Sequence, residues 1–142
     1  MYTAVVQLSE NRTWRNDMEK WTKIKPGFIP FGDYGIEIHI DGDTLIAYLE
    51  DSEKFKFTFT KIWAFRTVQE SLELRDKYWE QGLAENRPLY LTNYIYDVEN
   101  TEFGDLVASA NIANKKLHHY FIMSTEYLVD ILSENDVKVE KV

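Results

Sequence analysis

Apolar and polar positions alternate most regularly between Ile36 and Phe59. Ile36, Ile38 and Ile40 bracket Glu37 and His39, and Asp41-Gly42-Asp43 follows as a turn in which Gly42 is free to take a positive φ. Leu45 to Leu49 returns as a nearly continuous apolar strand, and Asp51-Ser52-Glu53 turns again. Phe55, Phe57 and Phe59 then alternate with Lys56 and Thr58. A period of two means one dry face and one wet face, so the pattern predicts a β-meander. Ile62, Trp63 and Phe65 continue it out of phase, which predicts a bulge or the start of a new strand near Lys61.

Outside the meander the period changes. Residues 3–8 read as a strand, and Trp14, Met18 and Trp21 form one stripe of an amphipathic helix over residues 11–23, with Arg12, Arg15, Lys20 and Lys23 mostly off it. Lys25-Pro26-Gly27-Phe28-Ile29-Pro30-Phe31-Gly32 holds two of the three prolines and reads as a connecting loop. Val68, Leu72, Trp79 and Leu83 share a face of a helix over residues 68–82, supported by Glu73 four residues before Lys77 and stopped at Gly82. After the turn at Asn86-Arg87-Pro88, Leu89 to Val98 reads as a strand by its β-branched and aromatic content. Thr101 caps a helix carrying Phe103, Leu106, Val107 and Ala110, and Leu117 to Met123 is a further strand. Ser124 or Thr125 caps a short helix with Leu128, Ile131 and Leu132 inward, and Val137 and Val139 suggest a final edge strand. Hairpins first and helices later, without regular βαβ alternation, predict a single α+β domain over residues 1–142. Its sheet is mainly antiparallel, with three or four short helices packed on it.

Composition narrows the chemistry. The chain has 142 residues, 44% of them hydrophobic and 15% aromatic, enough for one core-forming domain. It has no cysteine, which removes disulfides, thiolate metal sites and cysteine nucleophiles. Nothing at the start reads as a signal peptide, and no apolar run approaches the roughly 20 residues that cross a bilayer. A cytoplasmic location is the natural expectation. No glycine-rich phosphate cradle and no Gly-x-Ser-x-Gly elbow is present. The histidines are His39, His118 and His119, and adjacent strand residues point to opposite faces, so the pair does not converge on one metal. Asp41 and Asp43 lack the rest of a calcium loop. These readings predict no catalytic residue, no metal and no cofactor. An enzyme built on His118 or His119 would need a carboxylate within hydrogen-bond reach in a cleft.

Charge points towards binding. The formal net charge is −8, from 24 acids and 16 bases, and residues 31–142 hold 21 acids against eleven bases, an excess of −10. Such a field repels nucleic acid and anionic membrane and speeds encounter with a basic protein. Basic residues do interleave with aromatics at Trp14-Arg15, Lys20-Trp21 and Lys54-Phe55-Lys56-Phe57, but the global charge opposes phosphate. The expected partner surface gathers Asp41, Asp43, Glu50, Asp51 and Glu53 from the meander with Asp97, Glu99 and Glu102, and uses Tyr94 and Tyr96 as aromatic anchors. A competing reading places Trp63, Phe65, Tyr94 and Tyr96 around an apolar pocket for a small ligand or regulator.

Three segments carry a family resemblance: Val98-Glu99-Asn100-Thr101-Glu102-Phe103, His119-Tyr120-Phe121-Ile122-Met123-Ser124-Thr125 and Tyr127-Leu128-Val129-Asp130-Ile131-Leu132-Ser133. Together they resemble small acidic immunity proteins of bacterial polymorphic toxin systems. Phe57-Thr58-Phe59 through Phe65-Arg66 is similar to the strand and helix entry that precede those segments. The chain departs from the pattern at Asp136-Val137, where a proline is expected nearby. The resemblance implies that the protein binds and neutralises a cognate toxin, often a nuclease, and it carries over no individual contact residue.

Overall fold

Strict alternation over residues 36–59 folds as its period dictates. In a computed structural model that describes residues 20–69, 93–99, 104 and 117–142, β2 (Gly35–Asp41), β3 (Thr44–Glu50) and β4 (Lys54–Phe59) form an antiparallel meander. β9 (Lys138–Lys141) closes this sheet against β4, giving the order β2-β3-β4-β9. Gly42 opens the two-residue β2–β3 turn at φ 63°, which fits the first central position of a type II′ hairpin.

The second sheet is also antiparallel, in the order β1-β6-β7-β8-β5. Its strands are β1 (Lys20–Lys23), β5 (Ile62–Gln69), β6 (Ile95–Glu99), β7 (His118–Met123) and β8 (Tyr127–Ser133). The phase break near Lys61 is both a change of sheet and a bulge. Lys61 takes φ 52°, a left-handed conformation unusual for a lysine. The register then slips between Ile62 and Ala64, leaving Trp63 as the extra residue.

The sheets pack face to face. Leu45, Ala47 and Leu49 of β3 and Phe55, Phe57 and Phe59 of β4 meet Ile95, Tyr120, Ile122, Val129 and Ile131 of the five-stranded sheet in one core. Tyr34 and Val139 complete it. The other face of the five-stranded sheet is buried too, around Trp21, Tyr96, Val98, Phe121 and Leu128. Trp21 sits 5.3 Å from the Tyr96 ring and 5.4 Å from Phe121, tilted against both. The central strands of this sheet are therefore dry on both sides, and in β8 every residue after Tyr127 is buried.

That double burial corrects the expected α+β class. The described residues are nearly all antiparallel strand, and helical geometry occurs among them only at Gly104. The helix expected after Ser124 is strand β8. A strand buried on both faces loses its alternation, and Leu128, Ile131 and Leu132 then mimic helical spacing. The Ser124 hydroxyl does accept a hydrogen bond from the Tyr127 amide (2.9 Å), but it closes a β-hairpin turn. The tail of the helix expected over 11–23 is strand β1, and the start of the one expected over 68–82 is the end of β5. The expected strand at 3–8, and the remainder of the helices expected over 11–23, 68–82 and 101–110, lie outside the described residues.

Candidate functional site

A meander places successive turns at opposite ends of its middle strand. Asp41 and Asp43 flank the β2–β3 turn, whereas Glu50, Asp51 and Glu53 surround the β3–β4 turn. The seven residues of β3 separate them, about 20 Å at strand rise. Asp97 and Glu99 belong to β6, which lies three strands from β5 in the other sheet. Glu102 lies outside the described residues. The nine described contact residues thus do not form one patch.

One of the two tyrosines is a core residue and the other is half-buried against the core. Tyr96 is 0% exposed and its hydroxyl donates to the Asn93 carbonyl oxygen. Tyr94 packs edge-on against Tyr34, and its hydroxyl bridges the Gly32 amide (2.8 Å) and carbonyl (2.9 Å). Tyr94 ties the Gly32 loop to the strand, and Tyr96, fully buried, has no surface to offer a partner. The four aromatics of the pocket reading are dispersed as well. Trp63 donates Nε1–H to Glu134 at 2.8 Å on the outer rim, Phe65 is 40% exposed, and Tyr94 and Tyr96 sit in two different cores.

What does cohere is the β2–β3 side of the sandwich. Between Lys25 and Lys54 the chain carries seven carboxylates and no lysine or arginine. They are Asp33, Glu37, Asp41, Asp43, Glu50, Asp51 and Glu53, and all but half-buried Glu53 are exposed. The sequence reading missed Asp33 and Glu37, although the run without bases was legible. The carboxylates differ in freedom. Glu53 pairs with Lys141 at 2.7 Å, Glu50 lies opposite Lys54 in the ladder, and Glu37 holds His39 at 2.6 Å. Asp51 accepts from the Asp33 amide at 3.3 Å. Asp41 and Asp43 make no ion pair among the described residues, so their charge faces water at the hairpin tip.

Two histidine constellations complete the polar inventory. On the buried outer face of the five-stranded sheet, Asp130 of β8 accepts from His119 Nε2 of β7 at 2.7 Å and from Arg66 Nε of β5 at 2.9 Å. Burial pushes the Asp130 carboxyl up, but the His119 hydrogen bond, the His119 charge and Arg66 outweigh it, and the net shift is downward. This pairing of His119 with a carboxylate meets one condition for an acid–base centre. The described residues around it on that face, Ala64, Val68, Phe121, Leu128 and Leu132, are apolar, and the arrangement ties three adjacent strands together. On the opposite face His118 lies 3.6 Å from Asp97 and 3.2 Å from Asp136, stacked on Tyr120 at 5.4 Å. Burial raises the Asp97 carboxyl above its usual range, opposed by His118. The two histidines face opposite ways, as strand geometry requires. Among the described residues no cluster of three His, Cys, Asp or Glu could hold a metal ion, and no helix is long and apolar enough to cross a membrane.

Compared with family models, curated proteins and solved structures, the chain matches none.

Proposed function

We propose that this protein is a protein-binding inhibitor that acts in the cytoplasm as an immunity protein, neutralising a cognate bacterial toxin by docking a basic surface on its β2–β3 side. One observation carries the reading: residues 26–53 hold seven carboxylates and no lysine or arginine, and Asp41 and Asp43 at the β2–β3 hairpin tip are exposed with no ion pair among the described residues. An excess of negative charge accelerates encounter with the opposite sign and opposes nucleic acid. The binding cleft of a nuclease, built to attract phosphates, is the kind of surface it would fit. Occlusion needs no reactive group in the inhibitor, and the resemblance in the β6–β8 region to immunity proteins points the same way.

Co-expression with the product of the adjacent reading frame tests the proposal. The expected result is a complex that survives purification and a loss of that product's toxicity. A binding partner whose toxicity is undiminished, or an adjacent product that is not bound, overturns it. The double variant Asp41→Lys, Asp43→Lys is expected to slow association roughly tenfold while leaving the fold intact, because both side chains are exposed.

A further inference from the structure

The two sheets of the sandwich do not match in width. Among the described residues five strands face four, and the surplus lies on the β2–β5 side. Both ends of β2 rest against the five-stranded sheet near β5 and β8. The Ile62 amide donates to the Asp43 carbonyl (2.9 Å), and the Thr125 amide donates to the Tyr34 carbonyl (3.0 Å). β2 therefore runs above β8, and β5 overhangs it.

Burial records the overhang. Phe65 and Thr67 of β5 pair with Ile131 and Val129 of β8, so they point into the sandwich. Ile131 and Val129 are 0% exposed, yet Phe65 is 40% exposed and Thr67 is exposed. On the facing sheet Ile40 points inward opposite Leu45 and is 46% exposed, while Leu45 is 0% exposed. Cover ends at the same side on both layers, one strand short.

The backbone there is also unpaired. The two-residue turn makes Asp41 and Thr44 a hydrogen-bonded pair, so alternate pairs back to Gly35 and Glu50 share the ladder bonds. The N–H and C=O groups of Ile36, Ile38 and Ile40 consequently point away from β3, along an edge with no neighbouring strand among the described residues. Edges in stable proteins are commonly blocked by lysine, proline or a bulge. β2 has none of these: its charges are Glu37 and Asp41, with Asp43 just beyond.

We propose that this edge receives an extended basic segment of the partner protein by strand addition, which supplies the strand missing from the four-stranded sheet. The proposal rests on the reading above and sharpens it. Alternate apolar side chains of the incoming strand would cover Ile40 and Phe65, and the intervening lysines or arginines would lie beside Glu37 and Asp41. Charge selects this occupant over a second copy of the chain, which would bring the same acidic edge against itself.

The test uses the full chain and an acetylated decapeptide of alternating lysine and valine, with an alternating glutamate–valine peptide as control. Amide hydrogen exchange and titration calorimetry are read together. The expected result is one-to-one binding of the lysine peptide, slowed exchange at Ile36, Ile38 and Ile40, and no binding of the glutamate peptide. Ile38→Pro removes an outward donor that the sheet itself does not use, and it should weaken the peptide roughly tenfold. Should that variant misfold, Glu37→Lys with Asp41→Lys should instead reverse the preference between the two peptides. Equal binding of both peptides by the unaltered chain, protection elsewhere than the β2 amides, or protection of those amides by self-association without peptide each overturns strand addition. A toxin that binds without protecting the β2 amides would overturn it while leaving the immunity reading intact. Peptide capture at β2 by a protein that neutralises no toxin would do the reverse.

Discussion

Asp130 is the side chain on which most structure depends for its size. It is 3% exposed and joins three adjacent strands through Arg66 and His119. Removing its charge weakens a buried bond to His119 and a partly buried one to Arg66, so Asp130→Asn is expected to cost about 3 kcal/mol in urea unfolding. Because its folded pKa is lowered, the stability it confers is complete above the ordinary carboxylate range and is lost as pH falls through the folded value. Titrating the urea midpoint from neutral pH downward should show this acid limb, and the asparagine variant should flatten it. Asp97 acts in the opposite sense. Its raised folded pKa means that its charged form costs stability, and this cost fades as pH falls through that value. Phe57, fully buried between Ala47 and Val139 in the ladder, supplies the apolar comparison. Phe57→Ala should lose about 3–5 kcal/mol without altering the pH profile.

Among the elements, the turns between strands carry the backbone demands. Gly42 at φ 63° has open space where a Cβ would stand, so a substitution there is limited by backbone conformation and not by crowding. Gly42→Val is expected to destabilise the β2–β3 hairpin by about 1–2 kcal/mol, because a β-branched residue is strained at positive φ. Lys61 at φ 52° hands the chain from one sheet to the other, and its carbonyl accepts from the Glu134 amide at 3.1 Å. Lys61→Gly should therefore be neutral or stabilising by up to about 1 kcal/mol, whereas most lysine-to-glycine changes in such a connection loosen the chain. Thermal unfolding of the Gly42 variant and this one separates the cases.

At the scale of the whole molecule, charge and strand number decide what the protein presents. The base-free run over residues 26–53 lies on β2 and β3, and β2 is also the edge at which the four-stranded sheet falls short of the five-stranded one. Electrostatic attraction and an open edge coincide on one side. Raising ionic strength from about 50 to 200 mM should slow association with a basic partner roughly tenfold while leaving its dissociation rate nearly unchanged. Stopped-flow mixing at several salt concentrations reads both rates, and an association rate indifferent to salt would remove charge from the account.

The meander, its two turns, the break at Lys61 and the edge strand through Val139 were all legible in the residues. β2, β4 and β9 each have one wet face, so solvent writes the period of two into the sequence. β8 and the end of β1 were not legible. Their neighbours bury both faces, and a residue hidden on either side carries no mark of which side it faces. The same limit applied to the site. Sequence alone settled that residues 26–53 are acidic and that His118 and His119 part company, because local charge and strand parity are properties of the chain. Only the packed sheets decided that Tyr96 is interior and Tyr94 half-buried, that Asp97 and Glu99 stand apart from the meander, and that β2 has no further neighbour among the described residues. Those facts depend on which strands lie side by side, and pairing across long separations leaves no periodic signature in the order of residues.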